Sequence, residues 1–445
     1  MSKISVVGLG YIGLPTAIIA SEHGFEVFGY DTDKNKVRNI KKGNPVIFEP
    51  EISTRLEQAL TSKKLKISGR LEKADCFIIT VPTPFKEDPK TKKAELSYVF
   101  SAGKAISKVL EPGNLIILES TVPAGTTNKL TALIEAETGL RQSRDFFVAY
   151  CPERVLPGRI FNELVTNDRV IGGICPASSK KVEAVYAFVQ GKIHVTDAKT
   201  AEMVKLVENS SRDVQIAFAN QVASMCAEEK VNPFEVIEIA NKHPRVNILN
   251  PGCGVGGHCI AVDPWFLVER FPKNSALLRV TRKINDSKPV EIVDQVVSYA
   301  KNFTIIHKRK PKVLVLGLTF KANVDDLRNS PAVSITQMLK KVKEVNCNVC
   351  EPHVELRQLK ALGFTKSVQL DKGLKDSDLI LILVGHRKFA SINFEDFKDK
   401  LIIDACGLTY KPKFVEAPKS FKAARLTKDD MQIEDQDLSD VLLSR

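Results

Sequence analysis

The stretch "KISVVGLGYIGLP", residues 3–15, predicts a buried strand, a tight glycine turn and the start of a helix. The helical apolar spacing continues through "TAIIASEHG" and stops at Gly24. Gly8, Gly10 and Gly13 match the GxGxxG pattern, in which the first glycine allows the turn, the second lets the backbone approach a pyrophosphate and the third permits close helix packing. Because the pattern lies between a predicted strand and a predicted helix, it indicates a dinucleotide site rather than a ligand-free glycine turn.

Asp31 ends the second predicted strand, "FEVFGYD", eighteen residues after Gly13. A carboxylate at this spacing accepts hydrogen bonds from the hydroxyls of the adenine ribose and repels a 2′-phosphate. The sequence therefore favours NAD over NADP as the cofactor.

Apolar strands alternate with helical segments along the first half of the chain, as in "DCFIITVPTP" (75–84) and "GNLIILESTVP" (113–123). This alternation predicts a parallel doubly wound sheet whose ligands bind beyond the carboxyl ends of its strands. From about Lys199, some thirty residues follow a helical period without glycine or proline, which predicts a spine helix that joins two domains and forms a subunit interface. "KPKVLVLGLTFKANVDD" (310–326) then opens a second α/β segment.

The predicted fold class is therefore α/β, with two doubly wound Rossmann-like domains joined by a long central helix and a helical dimerisation core. The predicted boundaries are 1–199 for the NAD domain, 200–305 for the central helical domain, 311–415 for the second Rossmann-like domain and 416–445 for a charged, flexible tail.

The composition, with 43% hydrophobic and 27% charged residues, is typical of a folded globular protein, and neither a membrane span nor a signal peptide is expected. Nine scattered cysteines favour a reducing cytoplasm over a disulfide framework. "CNVC" at 347–350 has the spacing of a redox motif, but its alternation favours a strand. The net charge of +12 would attract anionic small molecules, whereas no basic stripe points to nucleic acid.

A second glycine cluster, "NPGCGVGGHCIAVDP" (250–264), carries Cys259 and, four residues on, Asp263. A cysteine is more often a small buried hydrophobe than a nucleophile, but flexible glycines would bring backbone amides close to this sulfur. In the spine helix, Lys205 and Asn209 are spaced i, i+4, so they project from one face, either towards a ligand or as a solvated surface.

Glu153, in "AYCPERVLPG", follows an apolar run at a strand end. It would serve either as a base or in a surface salt bridge.

A dinucleotide turn and a nucleophilic thiol together suggest an oxidation in which the carbonyl product is trapped on sulfur. An alcohol gives up one hydride, the aldehyde adds the thiolate, and the thiohemiacetal gives up a second hydride. Water then hydrolyses the thioester to a carboxylate.

The chain closely resembles the UDP-glucose/GDP-mannose 6-dehydrogenase family, whose members oxidise a nucleotide sugar to its uronic acid with two NAD. The resemblance extends to about residue 415 and rests on seven motifs in the family's order: "GLGYIG", "VPTP", "ESTVPAGTT", "CPERVLPG", "AEMVKLVEN", "GVGGHC" and "GLTFKANVDDLRNSPA".

The resemblance implies a role for each matching residue. The catalytic residues it implies are Cys259, Lys205, Asn209, Asp263, Glu153 and Thr121. Those implied to bind NAD are Gly8, Gly10, Tyr11, Ile12, Gly13, Asp31, Thr83, Thr121 and Arg328. Those implied to bind the nucleotide sugar are Glu153, Arg154, Val155, Lys205, Asn209, Arg212, His243, Arg245, Gly256, Phe320 and Lys321, with Arg245 reaching the sugar site of a neighbouring subunit. No metal is implied.

Within the family, "NKHPRVNILNPGCGVGGHCIAVDPWFLVE" is most similar to members that act on UDP-N-acetyl-D-mannosamine. The resemblance thus implies a homodimer that binds a UDP-N-acetylhexosamine, while the cysteine usage, composition and charge pattern predict a cytoplasmic protein that binds neither nucleic acid nor membrane. UDP-N-acetylglucosamine and UDP-glucose remain alternative substrates. A two-electron dehydrogenase, a non-catalytic nucleotide-sugar sensor and a nucleic-acid-binding protein remain alternative functions. Cys253, where the family would have proline, is expected to loosen the loop or to be prone to oxidation.

Overall fold

The computed structural model describes residues 2–47, 49–86 and 92–411 of the 445-residue chain. The predicted tail, 416–445, lies outside the described residues. Within them, no helix combines the length and the apolar character that crossing a lipid bilayer requires.

The first eight strands form one sheet with the spatial order β3-β2-β1-β4-β5-β6-β7-β8. The strands are β1 (Lys3–Val7), β2 (Glu26–Tyr30), β3 (Leu65–Ser68), β4 (Cys76–Ile79), β5 (Leu115–Leu118), β6 (Phe147–Tyr150), β7 (Arg169–Gly173) and β8 (Ile193–Asp197). The first six have the order of a dinucleotide-binding fold, with a crevice where the direction of winding reverses between β1 and β4. The strand β7 runs antiparallel to β6, a reversal that the sequence did not predict.

Helices cover both faces of this sheet. They are α1 (Gly13–Glu22), α2 (Lys34–Lys41), α3 (Ile52–Thr61), α4 (Ser97–Ser107), α5 (Thr126–Thr138), α6 (Ile160–Thr166) and α7 (Pro176–Val185). Side chains alternate between the two apolar layers, so Ile78 packs with the layer that contains Leu14 of α1, and Ile79 packs with the layer that contains Val99 of α4. A strand that is buried on both faces has apolar side chains at every position. The continuous apolar runs "CFII" and "LIIL" therefore predicted β4 and β5.

A helical region follows the sheet. It consists of α8 (Ala198–Glu228), α9 (Pro233–Ala240), α10 (Asp263–Arg270) and α11 (Ala276–His307). The helix α8 has 31 residues and is therefore about 46 Å long. The Asp197 carboxylate caps it by accepting the Thr200 N–H at 3.0 Å. The predicted spine helix is thus present, within two or three residues of its expected ends.

The second sheet has four parallel strands in the order β10-β9-β11-β12. Its elements are β9 (Lys312–Leu316), α12 (Pro331–Lys341), β10 (Asn346–Cys350), α13 (Leu356–Ala361), α14 (Leu370–Asp376), β11 (Leu379–Ile382) and β12 (Leu401–Asp404), with short 3-10 helices at Arg387–Phe389 and Phe394–Phe397. Cys347 and Cys350 lie on β10 as free thiols that pack into opposite apolar layers, which confirms the strand interpretation of "CNVC".

Candidate active site

Each glycine of the turn after β1 has the surroundings that its predicted role requires. Gly8 adopts a φ of +99°, in the left-handed region that favours glycine. A Cβ atom on Gly13 would lie 1.8 Å from the Gly8 carbonyl oxygen, so α1 starts in direct contact with the turn. A Cβ atom on Gly10 would meet no atom of the described residues within 4 Å, which leaves open space where a pyrophosphate would approach the backbone.

Asp31 lies beside this turn at the carboxyl end of β2. Its buried carboxylate accepts the N–H groups of Leu9 and Asp33, both at 2.9 Å, and pairs with the Lys36 ammonium at 2.8 Å. The carboxylate is therefore fixed at the crevice where a ribose would bind, and the turn and the acid together fit NAD.

The other residues implied in cofactor binding lie around the same edge. Ile12 precedes α1 and is half-buried, as are Thr83 and Thr121 in the loops after β4 and β5. Arg328 reaches from the second α/β segment and lies 4.5 Å above the ring of Tyr11. Asp326 holds the Arg328 guanidinium through two hydrogen bonds of 2.9 and 2.7 Å. The glycine turn thus contacts both α/β segments.

Cys259 is the exposed cysteine among nine free thiols. Its carbonyl oxygen accepts the N–H groups of Val262 at 2.9 Å and Asp263 at 2.8 Å, so a tight turn leads from the thiol into α10. Surrounding protein nevertheless desolvates the sulfur and, with the negative charge of Asp263, raises the thiol pKa to about 11, whereas Lys205 and Arg328 act in the opposite direction. The thiol is thus accessible but lies in a crowded cleft.

Asp263, Asn209 and Lys205 form one group next to this thiol. The Asn209 amide donates to the Asp263 carboxylate at 2.5 Å. Burial raises the pKa of Asp263 to about 6, against the lowering effects of the Lys205 charge and the Asn209 hydrogen bond. Lys205 is buried, so the alternative of a solvated helix face is wrong for this residue.

Two glycines of the second cluster, Gly256 and Gly257, are required by packing against the second α/β segment. A Cβ atom on Gly256 would lie 2.6 Å from the Asn329 carbonyl oxygen, and one on Gly257, whose φ is +82°, would lie 3.1 Å from the Phe320 ring. The loop that carries Cys259 is therefore held against the segment that contains Phe320 and Lys321.

Cys253 does not behave as the sequence suggested. It is buried in the core of the second α/β segment, and its thiol donates to the Leu383 carbonyl oxygen at 3.5 Å. Burial raises its pKa to about 12. The prediction that Cys253 loosens the loop or is prone to oxidation is therefore wrong. Its side chain anchors the loop, and burial strongly disfavours the thiolate.

Glu153 is buried and ion-paired, so the alternative of a surface salt bridge is wrong. One oxygen accepts from Arg169 at 3.0 Å and the other accepts the Arg154 N–H at 2.6 Å. The neighbouring Arg154 pairs with Glu208 of α8 at 2.5 Å, and Val155 packs against the apolar core of the first sheet.

The remaining residues implied in sugar binding are more exposed. Lys321 lines a cleft of about 360 Å³ between the two α/β segments, together with Tyr11 and Arg159. Phe320 is half-buried beside it. Three further residues that the resemblance implies in sugar binding have exposed side chains: Arg212, His243 and Arg245.

A buried polar network that the sequence did not reveal supports the thiol loop. Asp213 of α8 pairs with Arg282 of α11 at 2.6 Å and accepts from Asn285 at 2.8 Å. The Asn220 amide donates to Asn285 at 2.9 Å, and its oxygen accepts the Gly252 N–H at 2.9 Å. The available signal was a stripe of polar residues at helical spacing along α8, comprising Glu202, Lys205, Asn209, Asp213 and Asn220.

Comparisons with known proteins agree with this arrangement. The UDP-glucose/GDP-mannose dehydrogenase family matches over three consecutive parts: its NAD binding domain over residues 2–190, its central domain over 199–287 and its UDP binding domain over 314–414.

Individual relatives cover nearly the whole chain. The UDP-N-acetyl-D-mannosamine dehydrogenase of Methanococcus vannielii is 45% identical over 91% of this chain and 92% of its own length. The NDP-N-acetyl-D-galactosaminuronic acid dehydrogenase of Ralstonia solanacearum is 43% identical over 91% of this chain and 96% of its own length. The solved UDP-D-ManNAc dehydrogenase of Pyrococcus horikoshii is 40% identical, with a TM-score of 0.84 over 92% of this chain and 96% of that one.

These matches confirm the predicted α/β fold and the NAD cofactor. The chain belongs to the UDP-glucose/GDP-mannose dehydrogenase family of NAD-dependent enzymes.

Proposed function

We propose that this protein oxidises the C6 hydroxyl of UDP-N-acetyl-D-mannosamine to a carboxylate with two NAD, through thiohemiacetal and thioester intermediates on Cys259. The proposal depends mainly on one observation: the exposed thiol lies beside the buried Lys205 and Asp263 and the half-buried Asn209 that donates to Asp263. Support for this sugar comes from the names of relatives at 40–45% identity.

The proposed chemistry proceeds in two oxidations and one hydrolysis. Bound NAD supplies the hydride acceptor for each oxidation. The Cys259 sulfur adds to the C6 aldehyde, and the proton of the thiol passes to the carbonyl oxygen. After the second hydride and a proton leave, water attacks the thioester, the C–S bond breaks and the thiol is restored.

We assign Lys205 and Asn209 to the oxyanion that forms at C6, because an ammonium and an amide donor held in a desolvated cleft stabilise developing negative charge. Asp263, whose pKa of about 6 leaves it mostly ionised at neutral pH, would accept protons during the oxidations. Glu153 would orient water for hydrolysis, and Thr121 would contact the reacting groups at the end of β5.

We further propose that residues 1–199 bind NAD and that 311–415 bind the UDP moiety, with Phe320 and Lys321 at the nucleotide. The remaining proposed sugar contacts are Glu153, Arg154, Val155, Lys205, Asn209, Arg212, His243, Arg245 and Gly256. For NAD the proposed contacts are Gly8, Gly10, Tyr11, Ile12, Gly13, Asp31, Thr83, Thr121 and Arg328.

A homodimer built on residues 200–305 in the cytoplasm completes the proposal. Large apolar side chains are exposed on the central helices, including Phe218 and Met225 at 51% and Leu277 at 64%. Light scattering of the purified protein would measure its mass in solution, and a monomer at micromolar concentration would contradict the dimer.

The experiment that tests the function is a panel of UDP-sugars with NAD, scored for turnover and for NADH formed per sugar. The panel contains UDP-N-acetyl-D-mannosamine, UDP-N-acetylglucosamine, UDP-N-acetylgalactosamine and UDP-glucose, since a 43%-identical relative is named for a galactosaminuronic acid. We expect two NADH per molecule of the manno sugar and the highest kcat/KM for it.

Other results separate the alternatives. One NADH per sugar would identify a two-electron dehydrogenase, and sugar binding without NADH would identify a sensor. Activity with only one of the other sugars would contradict the proposed substrate but not the proposed chemistry. In a parallel reaction, Cys259→Ser should abolish uronate while NAD binding persists, and full activity of that variant would refute the role of the thiol.

A further inference from the structure

Glu153 belongs to a buried cluster that includes a second carboxylate, Glu119. Glu119 follows β5 directly and is 3% exposed, and Arg169 lies between the two acids at 4% exposure. The Arg169 guanidinium is 3.0 Å from Glu153 and 3.6 Å from Glu119. One cation is therefore shared by two carboxylates in the interior.

The reversed direction of β7 creates this cluster. Tyr150 of β6 pairs with Gly172 of β7, and continuing that antiparallel register past the end of β6 brings position 153 opposite position 169. Since Arg169 is the first residue of β7, its side chain lies at the carboxyl edge of β5 and β6, where the proposed chemistry takes place.

The other groups around Glu119 are neutral or weakly acidic. The Tyr186 hydroxyl, at the end of α7, donates to one Glu119 oxygen, while the other Glu119 oxygen has no hydrogen-bond partner in the described part of the chain. The Tyr186 ring also lies 4.3 Å from the Arg169 guanidinium. Cys76 of β4 and Cys151 after β6 are the remaining titratable neighbours in the described residues, and burial raises the pKa of both thiols.

Charge balance in this cluster favours one bound proton. With both carboxylates ionised, the cluster would carry a net charge of −1 in a place where charged groups are costly. Burial raises the pKa of Glu119 to about 7; Arg169 opposes this rise, the Glu153 charge adds to it, and the Tyr186 hydrogen bond opposes it. Glu119 thus changes charge near neutral pH.

We propose that Glu119 is a positioning residue for hydrolysis: its protonation state decides whether Arg169 binds Glu153 alone or is shared, and so how freely the Glu153 carboxylate binds the attacking water. The inference rests on the proposed function. With Glu119 protonated, Arg169 binds Glu153 most firmly and hydrolysis is slow. With Glu119 ionised, Arg169 is divided between the acids and hydrolysis is faster.

The test follows the Cys259 thioester directly. A single turnover is started with enzyme, UDP-N-acetyl-D-mannosamine and NAD, quenched with acid at intervals and analysed by intact-protein mass spectrometry at pH 5.5–8.5. For the unmodified protein, we expect the rate of thioester loss to rise with a midpoint near 7, by a factor on the order of ten.

Two variants move this profile in different ways. Glu119→Gln keeps the neutral form at every pH, so the rise should disappear and the rate should stay near the acid plateau. Tyr186→Phe removes a hydrogen bond that lowers the pKa of Glu119, so the midpoint should move to higher pH. Glu111→Gln, the same change at an exposed ion pair, should leave the midpoint in place.

The outcomes are distinguishable from failure of the proposed function, because that failure gives no thioester and no NADH with the unmodified protein. If thioester forms, an unchanged midpoint in both variants overturns the inference. If Glu119→Gln does not fold, as judged by circular dichroism and NAD binding, the midpoint of Tyr186→Phe decides alone.

Discussion

The Asn209 amide donates a hydrogen bond of 2.5 Å to the Asp263 carboxylate and thereby joins the middle of α8 to the first residue of α10. The loop with Cys259 lies just before α10, so this contact fixes the acid relative to the thiol. Its geometry makes the protonation of Asp263 depend on a residue of another helix.

Asn209→Ala should shift the acid limb of the kcat profile to higher pH. The Asn209 hydrogen bond lowers the pKa of Asp263, so its loss raises that pKa beyond about 6 and reduces the ionised fraction at a given pH. Turnover at neutral pH should fall about a hundredfold, as expected for loss of an oxyanion donor. Steady-state rates from pH 5 to 9 provide the measurement.

The control for this variant is Ser211→Ala, at an exposed position of the same helix. It should keep both the rate and the acid limb. If the acid limb of the Asn209→Ala profile does not move, Asp263 is not the group that accepts the proton.

The local sequence predicted the elements that carry the site, because each depends on contacts within a few residues. The glycine turn, the carboxylate after β2 and the spine helix all follow from apolar periodicity and glycine spacing. The network around Asp213 and Arg282 depends on α8 packing against α11, and no local pattern specifies which polar residues meet across two helices.

The second sheet also contains a contact that the sequence did not predict. The Leu318 N–H donates to Glu351 at 2.6 Å after β9, as the Leu9 N–H donates to Asp31 after β1. The sequence predicted the strands but not Glu351, since the turn at Gly317 lacks the full glycine pattern. The ion pair of Glu153 was missed because it requires the reversed β7.

Alkylation of Cys259 by iodoacetamide should be slow at pH 7 and should accelerate about tenfold per pH unit towards pH 10. The thiolate is the reactive form, and the pKa of about 11 makes it a small fraction at neutral pH. Lys205→Met should react more slowly at each pH, because the Lys205 charge lowers that pKa. Mass spectrometry counts the modified thiols.

Cys259→Ser provides the matched control, in which peptide mapping should find no label at position 259. The half-buried Cys175 is scored separately, because burial raises its pKa but hydrogen bonds with Ser143 and Ser178 outweigh that effect and leave the pKa below the usual value. Rapid labelling of Cys259 itself at pH 7, with no pH dependence, would show that its resting thiol is already ionised, contrary to its crowded surroundings.

Asp31→Asn should admit NADP. The change removes the negative charge that repels a 2′-phosphate, and the Lys36 ammonium, 2.8 Å from the Asp31 carboxylate, becomes available to pair with it. The ratio of kcat/KM for NADP to that for NAD should rise at least about tenfold, since like charges in contact cost several kcal/mol. The asparagine oxygen still accepts the Leu9 N–H, so the turn should persist.

The double variant Asp31→Asn with Lys36→Met tests the part played by the lysine. It should lose most of the gain in NADP use while keeping its melting temperature. Equal NADP use with and without Lys36 would assign the selectivity to the carboxylate alone.

Gly10→Ala and Gly13→Ala should separate cofactor binding from folding within a single turn. A methyl group on Gly13 would lie 1.8 Å from a backbone oxygen, so the variant must displace the turn or the helix and lose about 1–3 kcal/mol of stability or more. A methyl group on Gly10 meets no atom within 4 Å in the part of the chain that the structure describes, so Gly10→Ala should melt as the unmodified protein does. Its dissociation constant for NAD should nevertheless rise, because the methyl group occupies the space through which the pyrophosphate approaches the backbone.

Gly69→Ala, at another glycine with open surroundings, should change neither the melting temperature nor the NAD affinity measured by calorimetry. Unaltered NAD affinity in Gly10→Ala would mean that the pyrophosphate does not contact the turn at its second glycine.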